Sequence, residues 1–188
     1  KPDLNVIVVT GDGDATAIGG NHFIHAARRN INLTVLLYNN YIYGMTGGQC
    51  SPTTPRGDRA STAPYGNIEP PFNTAGLAIS AGASFVARGD VYNVRNCEKM
   101  IEKALSKKGF SLVEVLTPCP TAYGRRNRMA SPVKLLEWLK ENTVTARKWE
   151  SLSEEQRKGK VKTGVLLEID KPEFTSEYGR LIEKCRGE

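Results

Sequence analysis

The stretch from Val6 to Pro55 restricts the possible folds of this chain more than any other: VIVVTGDGDATAIGGNHFIHAARRNINLTVLLYNNYIYGMTGGQCSPTTP. Val6-Ile7-Val8-Val9 is an apolar, β-branched run with the length of a buried strand. Gly11-Asp12-Gly13-Asp14 follows as a turn whose glycines, having no Cβ, let the backbone pass close to a ligand. Ile18 to Asn30 is predicted as a helix, and Leu33 to Tyr38 as a second buried strand that ends at Asn39-Asn40. Strand, helix and strand at this length make a βαβ unit with parallel strands and a right-handed crossover. Asp12 and Asn40 then emerge together at the carboxyl ends of neighbouring strands, the edge where open α/β sheets bind ligands.

The chemistry of that pair follows from its atoms. A carboxylate at Asp12, an amide oxygen at Asn40 and a nearby backbone carbonyl are hard oxygen donors suited to Mg²⁺ or Ca²⁺. Mg²⁺ in particular takes one or two protein carboxylates and completes its shell with phosphate oxygens and water. The helix after GDGD offers free N–H groups and a positive dipole end, where a diphosphate sits well. The stretch therefore reads as a metal–diphosphate clamp. A plainer reading, an Asp-rich turn in which Asp14 or Thr16 caps a helix, accounts for GDG alone but not for the NNYIYGMTGG segment that follows it.

GDG followed by NN at this distance resembles the thiamine diphosphate motif of enzymes that process 2-oxoacids. The fuller strings, GDGDATAIGGNHFIHAARRN and NNYIYGMTGGQCSPTTP, are similar to the β subunit of 2-oxoacid:ferredoxin oxidoreductases, especially the 2-oxoglutarate type, and the resemblance covers residues 4–140. It implies that Asp12, Asn40 and the carbonyl of Ile42 hold Mg²⁺. It implies further that Gly11, Gly13, Asp14, Gly44 and Met45 contact the cofactor, with Met45 and Thr46 near the thiazolium. The implied reaction is oxidative decarboxylation of 2-oxoglutarate to an acyl-CoA, with electrons passed through a 4Fe–4S cluster to ferredoxin. The family's last cluster ligand lies in a PCPT context, which here is Pro118-Cys119-Pro120-Thr121. Cys119 is thus implied as an iron ligand in the full protein, and Cys50, Cys97 and Cys185 match none of the family's ligand positions. The carboxylate that activates the aminopyrimidine is implied to lie on a partner α subunit, so the catalytic group itself is not identified here and activity requires a heterodimer.

The rest of the sequence bounds this reading. With 188 residues, 39% hydrophobic and 24% charged, the chain suits one globular domain with a real core. No run approaches the roughly 18 apolar residues of a membrane span, and four scattered cysteines fit no disulfide framework. A reducing, cytoplasmic setting is the simple expectation. The net charge of +6 raises nucleic-acid binding, but aromatics are only 7% and none interleave with a Lys/Arg stripe. Basic residues gather in Arg125-Arg126-Asn127-Arg128 and beyond Arg147, as solvated surface or as a face steering an acidic partner such as ferredoxin. Arg125 or Arg126 is also placed to neutralise a substrate carboxylate or a CoA phosphate. His22 and His25 share a helix face but have no third or fourth ligand to complete a zinc site.

Further elements alternate in the manner of an α/β domain, here a doubly wound, mostly parallel sheet of the thiamine diphosphate-binding type. A short helix is predicted over Phe72–Ala83, a strand over Phe85–Ala87, a helix over Asn96–Lys107, a strand over Leu112–Leu116 with Glu114 inside it, and a helix opening at Ser131-Pro132. The segment Tyr43–Pro55 is turn-rich, a functional loop rather than a plain surface one, and Arg56–Pro71 continues irregularly on the surface. Residues 1–142 read as the cofactor-binding domain and 143–188 as a charged tail that packs on its own or a partner subunit. Within that tail, Thr143–Gly164 is expected as a charged helix or tether, followed by a brief apolar run and a final helix. Because the cofactor turn comes as early as residue 11, after the lead Lys1–Asn5, the chain is expected to lack the amino-terminal part of its domain. Two rival functions share the GDG–NN signal: a non-oxidative thiamine-dependent decarboxylase or carboligase, and a non-catalytic phosphate-binding assembly subunit.

Overall fold

The computed structural model describes residues 4–187, so the first three residues of the Lys1–Asn5 lead, and Glu188 at the end of the tail, lie outside the described residues. The first half of the chain contains β1 (Ile7–Gly11), α1 (Asp12–Thr16), α2 (Gly20–Arg28), β2 (Thr34–Asn39), β3 (Ile42–Tyr43), β4 (Gln49–Cys50) and α3 (Thr74–Ala81). It continues with β5 (Phe85–Asp90), α4 (Val94–Ser106), β6 (Ser111–Leu116), a π-helical turn (Pro120–Gly124) and α5 (Pro132–Asn142). The remainder forms β7 (Thr143–Thr145), α6 (Ala146–Trp149), α7 (Glu154–Arg157), β8 (Val161–Glu168) and α8 (Phe174–Arg186).

Six strands form one sheet in the order β1-β2-β6-β5-β8-β7. The first four are mutually parallel, and β8 runs antiparallel beside β5. The period of two along each strand divides the apolar residues between two layers. Val35, Leu37, Val86 and Leu112 face α2 and α3, whose Phe23, Ala27, Ala75 and Ala78 fill that side. Phe85, Ala87, Val113 and Val115 face Cys97, Met100 and Ala104 of α4 on the other. Helices on both faces of a mostly parallel sheet make the doubly wound α/β arrangement that the alternation of elements predicts.

Several local expectations change. The helix expected over Ile18–Asn30 is two helices, and the first begins at Asp12, so Asp12, Gly13 and Asp14 form a helical turn rather than a loose one. The break falls where the Gly19 N–H donates to the Asp14 carbonyl at 2.7 Å. A Cβ at Gly19 would stand 2.3 Å from that same oxygen, so the reversal needs glycine. β1 is not buried: Val6, Ile7, Val8 and Val9 are 54%, 46%, 41% and 67% exposed. It is an edge strand paired with β2 alone, and α4 lies over β2, β6 and β5 instead. The charged stretch after Thr143 holds β7, α6, α7 and the start of β8 rather than one helix or tether. β8 is a mostly half-buried strand, which is why its sequence lacks the unbroken apolar run of a central one. Arg56–Pro71, expected on the surface, includes the buried Ala60 and Asn67, and Ser51, Thr53 and Thr54 just before it are buried as well.

Asn30 ties this architecture together at the end of the sheet opposite the cofactor turn. It holds a left-handed φ of 51°, which asparagine tolerates better than most residues. Its Oδ1 accepts the Ser84 hydroxyl at 2.7 Å and the Phe110 N–H at 2.8 Å, and its Nδ2 donates to the Pro172 carbonyl at 2.7 Å. One buried side chain thus joins the end of α2, the starts of β5 and β6, and the approach to α8. Asn30→Ala leaves those buried groups without partners and puts at positive φ a residue that tolerates it less well than asparagine, with an expected loss of about 3 kcal/mol or more in urea unfolding.

Candidate functional site

The parallel pairing of β1 with β2 sets Gly11 opposite Tyr38, and the residues just beyond each strand meet. Asp12 is 2% exposed, and its Oδ1 accepts the backbone N–H of Asn40 at 3.3 Å. Its Oδ2 accepts the Ser51 hydroxyl at 2.5 Å and the Thr53 hydroxyl. After Asn40 the chain reverses at Tyr41, whose φ of 65° is unusual for a bulky residue and marks a locally strained backbone. That conformation is held from both sides: Asn39 Oδ1 accepts the Tyr41 N–H at 3.2 Å, and the Thr54 hydroxyl donates to its carbonyl at 2.7 Å. The Tyr41 ring packs against Tyr123 and Trp138. The reversal brings Ile42 back onto Asn40, whose Oδ1 accepts the Ile42 N–H at 3.0 Å.

Asp12 makes no ion pair among the described residues: no Lys, Arg or His nitrogen lies within 4.0 Å of its carboxylate. Buried charges in proteins are paired or coordinate metals. No cluster of three or more His, Cys, Asp or Glu side chains is placed to hold a metal among the described residues. What reaches Asp12 is instead the Asn40 N–H and the Ser51 and Thr53 hydroxyls, while the nearby Asn40 side-chain oxygen accepts the Ile42 N–H; a buried carboxylate among oxygen-bearing groups of this kind suits Mg²⁺ completed by phosphate oxygens and water. Gly13 lies immediately beside this set. The Tyr43 hydroxyl donates to the Gly13 carbonyl at 3.3 Å, and a Cβ at Gly13 would stand 2.2 Å from the Tyr43 ring.

The other predicted contacts divide. Asp14 is exposed and turns its carboxylate back to accept the Gly11 N–H at 3.3 Å. Gly44 runs alongside Cys119, since a Cβ there would lie 3.6 Å from Sγ. Met45 is fully exposed, and the Thr46 hydroxyl donates to Gln49 rather than inward. Arg126 pins this glycine loop by donating to the Gly47 carbonyl at 3.1 Å, while Arg125 is exposed. The structure therefore gathers Asp12, Gly13, Asn40, Ile42, Gly44 and Cys119 at one edge, and leaves Met45, Thr46 and Arg125 facing solvent. His22 and His25 are exposed on α2.

Cys119 follows β6 at the same edge, and its N–H donates to the Asn40 carbonyl at 3.3 Å. Its sulfur accepts the Ala122 N–H and contacts the Thr121 hydroxyl, each at 3.4 Å. Partial burial alone would push this thiol up, but the Thr121 hydroxyl and the N–H groups of Ala122, Tyr123 and Thr121 outweigh it and hold the thiol below its ordinary range. Cys97 is the opposite case: burial, and then the Asp90 carboxylate, push it up.

Sequence reasoning missed the residues that hold Asp12 and Asn40 in place, namely Asn39, Tyr43, Ser51 and Thr53. Their one visible signal was the density of small hydroxyls in Ser51-Pro52-Thr53-Thr54, which a mere surface loop does not need.

Residues 1–115 match the family model described as thiamine pyrophosphate enzyme, C-terminal TPP binding domain. The chain is 51% identical over 188 residues to a 2-oxoglutarate synthase subunit KorB of Methanocaldococcus jannaschii, covering 100% of this chain and 70% of that protein. It is 52% identical over 186 residues to the subunit of the same name in Archaeoglobus fulgidus, covering 99% and 65%. A solved structure of 2-oxoglutarate:ferredoxin oxidoreductase from Magnetococcus marinus, with 2-oxoglutarate, coenzyme A and succinyl-CoA bound, superposes with a TM-score of 0.85 at 31% identity, covering 100% of this chain and 65% of that one. The chain thus spans about two thirds of the length of the proteins it resembles.

The thiol environments give a direct test. In iron-free protein, Cys119 is expected to react with iodoacetamide at a lower pH than an ordinary thiol, and Cys97 at a higher one, as read by mass spectrometry of peptides alkylated across a pH series. Equal pH dependence at the two sites would contradict the described hydrogen bonding of Cys119.

Proposed function

The chain belongs to the β subunits of the 2-oxoacid:ferredoxin oxidoreductases, 2-oxoglutarate type, and on that premise we propose that it binds thiamine diphosphate through Mg²⁺ and, with a partner α subunit, serves the oxidative decarboxylation of 2-oxoglutarate to an acyl-CoA. The observation behind this reading is the buried Asp12 carboxylate, which lacks a cationic partner among the described residues and stands beside Asn40 and Ile42. The substrates named for the Magnetococcus marinus structure support 2-oxoglutarate and coenzyme A as the pair used here.

In this reading Asp12, the Asn40 amide oxygen and the Ile42 carbonyl hold the metal ion. Gly13 would allow the backbone to approach the diphosphate, and Gly11, Asp14, Gly44, Met45 and Thr46 would supply the further contacts. Bound thiamine diphosphate supplies the carbanion chemistry that protein side chains lack, while the chain supplies position and charge. The lowered thiol of Cys119 suits it to bind iron as a thiolate, as one ligand of a 4Fe–4S cluster in the whole protein. The acceptor would be ferredoxin, an acidic partner that the net charge of +6 would steer. Residues 1–142 act as the cofactor-binding domain and 143–188 as an appended tail joined to it through β8. No helix among the described residues is long and apolar enough to cross a membrane, and we place the enzyme in the cytoplasm.

The test uses the full-length subunit co-expressed anaerobically with its partner, assayed by CoA-dependent viologen reduction with 2-oxoglutarate, pyruvate and a branched 2-oxoacid. Wild type is expected to turn over 2-oxoglutarate. Asp12→Ala, which removes a metal ligand outright, should fall by more than the roughly 100-fold upper range for loss of an outer-shell partner. Full turnover by the variant would overturn the metal role. Decarboxylation without electron transfer would favour a non-oxidative enzyme.

A further inference from the structure

The two oxygens of Asp12 stand in different surroundings. Oδ1 meets a single donor, the Asn40 N–H at 3.3 Å. Oδ2 meets two hydroxyls, Ser51 at 2.5 Å and Thr53. Thr53 has one hydroxyl proton and three acceptors within reach, Asp12 Oδ2, with Asn39 Oδ1 and Ser51 Oγ each at 3.0 Å. Asn39 Oδ1 already accepts the Tyr41 N–H, and an ionised carboxylate is the stronger acceptor, so the Thr53 proton goes to Asp12. The Ser51 proton goes there too, because Thr53 and Thr54, its other neighbours, are hydroxyls with protons of their own to place.

These hydroxyls are not free to turn away. Ser51 is 5% exposed and Thr53 2% exposed, and the Ser51 N–H donates to the Thr54 hydroxyl at 2.9 Å. On its far side Thr53 abuts an Asn39 amide that can face only one way, since Asn39 Nδ2 donates to Glu114 Oε1 at 2.8 Å. Glu114 is fixed in turn by Arg88, whose Nε donates to Oε2 at 2.7 Å. A fully satisfied buried network of this kind is rigid.

We propose that Ser51 and Thr53 are positioning residues that make Asp12 a one-oxygen ligand, and that they thereby favour Mg²⁺ over Ca²⁺ at this site. The proposal rests on the reading that the site takes a metal with thiamine diphosphate. With two protons on Oδ2, that oxygen has no lone pair directed at a cation, and Oδ1 alone faces the Asn40 loop. Mg²⁺ demands near-ideal octahedral geometry, which a one-oxygen carboxylate supports. Ca²⁺ takes more ligands and accepts a carboxylate through both oxygens. Removing the hydroxyls frees Oδ2 and opens the second mode.

The test titrates thiamine diphosphate by calorimetry into the full-length subunit complexed with its partner, in Mg²⁺ and separately in Ca²⁺. Wild type is compared with Ser51→Ala, Thr53→Val, the double variant and Thr53→Ser. Affinity in Mg²⁺ should fall about tenfold in the single removals and about 100-fold in the double. The loss in Ca²⁺ should be smaller, so that the Mg²⁺-over-Ca²⁺ preference drops by about fivefold or more. Thr53→Ser keeps the hydroxyl and should keep the preference. Equal losses in the two ions, or none, would overturn the proposal, since a merely structural role moves both together. Should the double variant not fold, the preference measured in Ser51→Ala decides alone. Wild type that binds thiamine diphosphate without any metal dependence would overturn the functional reading, and the positioning role with it, before a variant is compared.

Discussion

The buried ion pair between Arg88 and Glu114 sets the register on which the edge of the sheet depends. The two residues stand directly opposite each other on β5 and β6, and Glu114 also reaches diagonally across to Asn39 on β2. In either neighbouring register Glu114 would face Ala87 or Gly89, leaving a carboxylate in the core without a counter-charge. Losing one partner of such a pair costs about 3–5 kcal/mol, far more than the intact pair contributes, so its effect is to exclude alternatives. A one-residue slip would also displace a strand end by about 3.3 Å and turn its side chains to the opposite face. Asp12 and Asn40 meet because β1, β2, β6 and β5 are held at one level.

Packing builds outward from that level. The layers on the two sheet faces are apolar and made of small and large residues in alternation, with Ala75 and Ala78 admitting α3 close to the sheet and Phe110 filling the space beside Phe23. At the carboxyl edge the apolar layer gives way to a polar one, Asn39, Glu114 and Arg88, roofed by the buried hydroxyls that follow β4. The loop carrying those hydroxyls is irregular in backbone but is part of the interior. Its glycines and prolines shape it so that small polar side chains point at Asp12.

Much of this was legible in the sequence because it depends on local periodicity and on residue types at fixed offsets. The βαβ unit, the strand around Glu114, the amphipathic α4 and the Ser-Pro start of α5 all express themselves within about 15 residues. What was hidden depends on distant neighbours. The exposure of Val9 is a property of the strand order, which no window around Val9 contains. Ser51 and Thr53 contact Asp12 across 39 and 41 residues, and a hydroxyl in a Pro-rich segment looks the same whether it faces water or a carboxylate. β8 disguises itself with Lys162 near its start because much of its surface remains open. The break between α1 and α2 was readable in principle, since Gly19-Gly20 interrupts the helical pattern, but the amphipathic signal of α2 obscures it.

β2 and β6 go on sharing hydrogen bonds after their last strand residues. Thr117 donates to the Asn39 carbonyl at 2.8 Å, and Cys119 to the Asn40 carbonyl at 3.3 Å. Structure that is hydrogen-bonded in this way opens as a unit rather than residue by residue. The amide that faces Asp12 and the sulfur of Cys119 therefore ride on one frame, with no hinge between them. Whatever the glycine loop from Gly44 to Gly48 does, the separation between the two stays the same.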